Sequence, residues 1–197
     1  MIDPARTALV VIDAQVDFLA MVEDGSHDTC GGQDALGGVL RLVEASRRAG
    51  IPVVLTQEVH RPSGVDFGRE LDGDESVHCL EGAPGTELVP ALRNLAGVHL
   101  VRKRRYSAFF ATDLALLLGG LGVDTVLACG FLTDVCVHYT CVDAHQHDLR
   151  VHVAADACAG SSAAASRAAL VAIGYLQRGA VTTVDRLVEA YPTASAA

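Results

Sequence analysis

The residues with the clearest chemical potential surround one cysteine. Cys136 sits in Gly130-Phe131-Leu132-Thr133-Asp134-Val135-Cys136-Val137, between an apolar run at 123–129 that reads as a buried strand and residues 134–147, which read as a helix. A thiol in a first helical turn meets unpaired N–H groups and the positive end of the helix dipole, which favour the thiolate and lower its pKa. A lone cysteine is more commonly a small buried hydrophobe. Its place at a strand-to-helix turn, where α/β sheets hold their ligands, sets Cys136 apart.

A thiol attacking an amide carbonyl needs a base for its proton, a cation for developing charge and N–H donors for the oxyanion. Asp13 closes the run Thr7-Ala8-Leu9-Val10-Val11-Ile12 and can be the base; Lys103 follows Val98-His99-Leu100-Val101 and can be the cation. The donors would be backbone N–H groups of the turn before Cys136. Taken singly, Asp13 could end a strand and Lys103 could be a solvated charge; taken with Cys136, they favour catalysis. His138 lies two residues from Cys136 on the same expected helix, about 200° around the axis, so it cannot face the thiol. His145, His147 and His152 show no ligand spacing and read as surface or subunit-contact residues.

The elements that must position these groups alternate strand and helix. Strands are expected at 7–13, 51–56, 98–101, 124–129, 150–154 and 180–182, with helices at 35–49, from a Thr112 cap through 118, at 134–147, and from Ser161 or Ser162 to 177. Residues 57–85 are polar, broken by glycines and proline, and read as a long functional loop. The alternation predicts an α/β fold, three-layer and doubly wound, with right-handed crossovers over a parallel sheet. Asp13, Lys103 and Cys136 then arrive at one edge of that sheet.

At 197 residues the chain is read as one domain, 1–197, with a tail from about Tyr191 small and polar enough to be disordered. Half the residues are hydrophobic, which excludes a disordered chain, and no apolar run approaches the length of a membrane span. Acids at Asp3 and Asp13 and the short first apolar run argue against a secretory signal, so a cytoplasmic protein is expected. The net charge of −9 disfavours nucleic acid, despite the basic run at 102–105. The cysteines at 30, 79, 129, 136, 141 and 158 form no CxxC pair or zinc ribbon, and all but Cys136 read as structural thiols.

Three separated motifs carry a resemblance: Asp13-Ala14-Gln15-Val16-Asp17-Phe18, Lys103-Arg104-Arg105-Tyr106-Ser107-Ala108-Phe109 and Gly130 to Val137. In this order they resemble the isochorismatase-like cysteine hydrolase superfamily, which includes nicotinamidases, carbamoylsarcosine amidases, and biuret, ureidoacrylate and maleamate amidohydrolases. The resemblance implies a six-stranded parallel sheet, a homodimer or homotetramer, and an Asp13, Lys103, Cys136 triad. It also implies a cis peptide between Phe131 and Leu132 that would aim the N–H groups of Leu132 and Cys136 at the oxyanion. Members that cleave the vinyl ether of isochorismate resemble one another in lacking the cysteine, so hydrolysis of a C–N bond through a thioester is the better expectation here.

Glu58, His60 and His78 stand where nicotinamidases bind a divalent metal through Asp-x-His and a later His. Glu58 replaces that aspartate and Val59 the usual aromatic residue, so the expectation is no cofactor, with Zn²⁺ at these three residues as the alternative. Otherwise His60 and His78 shape the pocket wall. Phe18, His60, Tyr106 and Phe109 are the expected pocket residues, and Arg61, Asp66, Arg69, Glu70 and Asp72 offer polar contacts, favouring a small polar amide, ureido or lactam substrate. A metal-containing nicotinamidase and a catalytically silent interaction protein are the competing readings.

Overall fold

The computed structural model describes residues 2–23 and 31–191. Six strands form one parallel sheet in the order β3-β2-β1-β4-β5-β6. They are β1 (Thr7–Ile12), β2 (Val53–Glu58), β3 (His99–Lys103), β4 (Thr125–Phe131), β5 (Arg150–Ala159) and β6 (Val181–Thr182). All residues of β1 and β2 are buried, as central strands of a sheet covered on both faces should be. The edge strand β3 instead alternates, so Val101 and Lys103 are buried while Leu100 and Arg102 are exposed.

Helices α1 (Val16–Glu23), α2 (Gly32–Arg48), α3 (Pro90–Arg93), α4 (Leu114–Gly120), α5 (His138–Gln146), α6 (Ala163–Leu176) and α7 (Val184–Ala190) flank the sheet. The α1 and α7 helices both pack on α2, and α5 packs with α6. Ser162 caps α6, its side chain accepting the Ala165 N–H. Order along the sheet reverses between β1 and β4, and a doubly wound sheet opens its ligand crevice at such a switch point.

Several local expectations need correction. The helix expected at 134–147 is a π-helical turn, Thr133–Val137, followed by α5, because Leu132 O accepts from both Val135 N and Val137 N. Thr112 does not cap α4 from the N-cap position; Asp113 stands there, and Thr112 Oγ1 accepts from Leu114 N. β5 runs five residues beyond its expected end at Ala154. Tyr191 is packed rather than loose, its hydroxyl 2.8 Å from Ser46 Oγ. The rest of the tail, 192–197, and Cys30 lie outside the described residues. No described helix is long and apolar enough to cross a membrane.

Candidate active site

Strand register brings the site together. Glu58 and Lys103 are paired neighbours at the ends of β2 and β3, and Ile12 and Gly130 are paired neighbours at the ends of β1 and β4. Asp13 follows Ile12 with a φ of 47°, a conformation that Asp tolerates better than most residues. Its N–H donates to Thr56 Oγ1 at 3.0 Å, and that hydroxyl donates back to Asp13 Oδ1 at 2.7 Å. Gly130 has a φ of 122°, and a Cβ there would stand 2.0 Å from Ile12 O, so only glycine lets β4 pass so close to β1. The next peptide but one, Phe131–Leu132, is cis.

Lys103 Nζ lies at the centre. It is 2.7 Å from Asp13 Oδ2, hydrogen-bonds Glu58 Oε2 and is 3.4 Å from Cys136 Sγ. Cys136 Sγ is in turn 3.8 Å from Glu58 Oε2. All four side chains are buried. The structure thus gathers the three residues expected to act together and adds Glu58, which the sequence suggested only as a metal ligand.

The two carboxylates are driven apart. Burial pushes the Asp13 carboxyl above its ordinary range, and Lys103 offsets this only in part. Burial also acts upward on Glu58, but Lys103, His60 and His78 outweigh it and hold this carboxyl well below the usual range. Lys103 is held protonated, since Asp13, Cys136 and Glu58 outweigh the cost of burial. The thiol departs from the sequence reading. Burial drives Cys136 well above the usual thiol range, Lys103 opposes this, and Asp13 and Glu58 add to it, so the resting group is a thiol.

Beside this group lie Glu58, His60, Glu70 and His78, whose ligand atoms fall within 4.8 Å of one another. His78 Nδ1 is 2.7 Å from Ser76 O, an acceptor only, while its Nε2 is 2.8 Å from Glu58 Oε1, another acceptor. An imidazole facing two acceptors carries two protons or binds a metal ion. Without a metal, the bonds to Glu58 and Ser76 overcome burial and raise His78 to about 9. His60 Nε2 stands 3.3 Å from both Glu58 Oε1 and Glu70 Oε2. This donor set fits a divalent cation: two imidazoles and a carboxylate, with Glu70 beside them.

A cavity of about 520 Å³ opens next to the turn that carries Cys136, lined by Met21, Arg69, Glu70, Gly73, Asp74, Glu75, Ser76, Tyr106, Leu132, Val135 and Ser161. Of the four expected pocket residues only Tyr106 lines it. Phe18 packs edge-on to His78, and His60 is stacked on Phe67, both buried. Phe109 stacks on His147 instead. Most of the loop's expected polar contacts serve one another: Asp66 takes Arg61 and Arg104, and Arg69 takes Asp72 at 2.8 Å.

Two positioning residues were missed from sequence, although both lie in or beside quoted motifs. Gln15 accepts from Glu58 N at 2.8 Å and donates to Glu58 O and Thr86 O, fixing the end of β2. Thr56 orients Asp13. Neither residue type carries chemistry alone, so only the tertiary fold reveals the role.

Known proteins resemble this chain in sequence and fold. A probable inactive nicotinamidase from Arabidopsis thaliana is 36% identical over 164 residues, covering 80% of this chain and 82% of its own. A cysteine hydrolase from Pseudomonas syringae pv. phaseolicola superposes with a TM-score of 0.81 at 28% identity, covering 95% and 93% of the two chains. A pyrazinamidase from Pyrococcus horikoshii, solved in complex with zinc, gives 0.77 at 28% identity, covering 90% and 99%. The isochorismatase domain profile matches residues 7–186, nearly the whole described sheet with its helices, and the chain belongs to the isochorismatase family.

Proposed function

We propose that the protein is a cysteine-dependent amidohydrolase that cleaves a C–N bond of a small polar substrate. The observation that carries this reading is Lys103 Nζ, placed 2.7 Å from Asp13 and 3.4 Å from Cys136 Sγ in a buried cluster beside a cavity. Two carboxylates with oppositely shifted affinities for protons divide the roles. Asp13, the more basic, takes the thiol proton, while Glu58 stays ionised and anchors Lys103.

As the proton moves to Asp13, sulfur bonds to the amide carbon, and the N–H groups of Leu132 and Cys136 receive the oxyanion. The C–N bond then breaks, and the leaving nitrogen takes the proton from Asp13. Water enters, gives its proton to Asp13 and attacks the thioester; carboxylate leaves and sulfur regains its proton. Lys103 compensates the negative charge carried by thiolate and carboxylate throughout.

Replacing Cys136 by Ala should abolish ammonia release over a panel of simple amides, ureas and nicotinamide while leaving the circular dichroism spectrum unchanged. Turnover by that variant would end the scheme. An electrophilic amide or aldehyde probe should also label Cys136 ahead of the other cysteines; failure to do so would favour a catalytically silent protein.

The convergence of Glu58, His60 and His78 favours a second reading, a metal-containing nicotinamidase. These residues would hold a divalent ion, which supplies Lewis-acid polarisation when bound. Metal analysis of the purified protein, with and without chelator, tests this: stoichiometric zinc or iron together with ammonia release from nicotinamide would establish it.

A further inference from the structure

The charges at this end of the sheet do not all find partners. Asp13 and Glu58 are matched by Lys103 and by His78, which donates to Glu58 while Ser76 O occupies its other nitrogen. Glu70 is different. It is only 5% exposed, it lines the cavity, and neither of its oxygens receives a hydrogen bond. His60 Nε2 stands 3.3 Å from its Oε2, but the hydrogen bond of that nitrogen is with Glu58 Oε1. Glu75 lines the same cavity, shares a hydrogen bond with Tyr106 and keeps Oε2 buried without a partner.

Nearby cations are committed elsewhere. Arg69 is paired with Asp72, and Arg105 donates to the carbonyls of Asp66 and Arg104. A buried carboxylate without a donor is costly, so its partner is to be sought in what enters the cavity.

Resting on the amidohydrolase reading, we propose that the cavity is a subsite for a cationic arm of the substrate, an ammonium or guanidinium group received by Glu70 and Glu75. The enzyme then selects amides that carry positive charge away from the scissile bond and rejects those carrying a carboxylate. Hydrogen bonds to charged groups contribute about 1.5–3 kcal/mol, which corresponds to roughly ten- to hundredfold in specificity.

The test uses chelator-treated full-length protein and three series of primary amides of increasing chain length: ω-amino, unsubstituted alkyl and ω-carboxylate. At the best length, kcat/KM for the ω-amino amide should exceed that of its neutral analogue at least tenfold, with the ω-carboxylate amide poorest. Glu75→Gln and Glu70→Gln should each shrink this ratio through KM. Equal or reversed preference with measurable turnover overturns the subsite and leaves the amidohydrolase reading standing.

The same amines are titrated calorimetrically into Cys136→Ala, so the outcome does not depend on turnover. Binding that Glu75→Gln weakens supports the subsite even if no amide is cleaved, in which case the reaction assignment fails instead. Absence of binding by every ω-amino amide overturns the subsite. So does Zn²⁺ binding that both Gln variants weaken while ω-amino amides gain nothing, because the carboxylates would then serve a metal.

Discussion

At the scale of single residues, the site depends on which atom each carboxylate touches. Thr56 holds Asp13 by two hydrogen bonds, its hydroxyl accepting from the Asp13 N–H and donating to Oδ1, and the second lowers the carboxyl's pKa. Thr56→Val keeps the shape and removes both. It leaves a buried N–H unsatisfied, so about 1–3 kcal/mol of stability should be lost in urea titration. With that hydroxyl gone, Asp13 binds its proton more tightly, and the acid limb of kcat/KM should move to higher pH. Glu58→Gln removes one of the two charges around Lys103. A loss of about 3 kcal/mol is expected, the low end for breaking a buried ion pair, because Asp13 remains. A loss well under 1 kcal/mol in the same titration would show that Glu58 does not anchor Lys103.

At the scale of elements, Gly130 decides how closely two strands meet. Its Cβ would collide with backbone of β1, which cannot swing aside as a side chain can, and its φ is unfavourable for any L-residue. Gly130→Ala should therefore cost more than about 4 kcal/mol, in the range reserved for specific structural failure. Soluble yield and thermal unfolding measure this, and a variant within 1 kcal/mol of the parent would refute the close-packing argument. The strands were legible in the sequence because a covered parallel sheet writes itself as apolar runs such as Thr7 to Ile12. Other elements were not. The α1 helix begins three residues after Asp13, inside a stretch dominated by its motif, and the α7 helix follows a two-residue strand with only its N-cap, Thr183, between them. The far half of β5, Asp156 to Ala159, is too rich in small residues to announce a strand. The π-helical turn around Cys136 has no sequence signature, since it depends on two amides sharing one carbonyl.

At the scale of the whole molecule, charge is distributed unevenly in depth. Among the described residues, every buried Asp, Glu, Lys or His belongs to the cluster of Asp13, Glu58, His60, Glu70, His78 and Lys103. The Arg6–Asp124 pair at the opposite end of the strands is exposed and of little energetic consequence. This placement explains why Asp13, Lys103 and Cys136 could be brought together from sequence order alone, while the partner of each could not: pairing within a buried cluster depends on side-chain reach across strands. It also locates the protein's pH dependence. His78 binds its proton more tightly folded, at about 9, than at its ordinary 6.5. Its contribution is therefore fully present below 6.5 and is lost as pH rises through 9. Glu70, raised to about 7 by burial and by the charge of Glu58, acts in the same direction between 4.5 and 7. Half-buried His152, whose pKa is lowered by burial, opposes them as pH falls. For chelator-treated protein, Tm should fall between pH 7 and 9.5, by about 2–4 °C for each kcal/mol withdrawn. His78→Gln should flatten this decline, since glutamine can still hydrogen-bond Glu58 but carries no proton to lose. An equally steep decline in that variant would place the pH dependence elsewhere and remove the case for a doubly protonated His78 in the metal-free site.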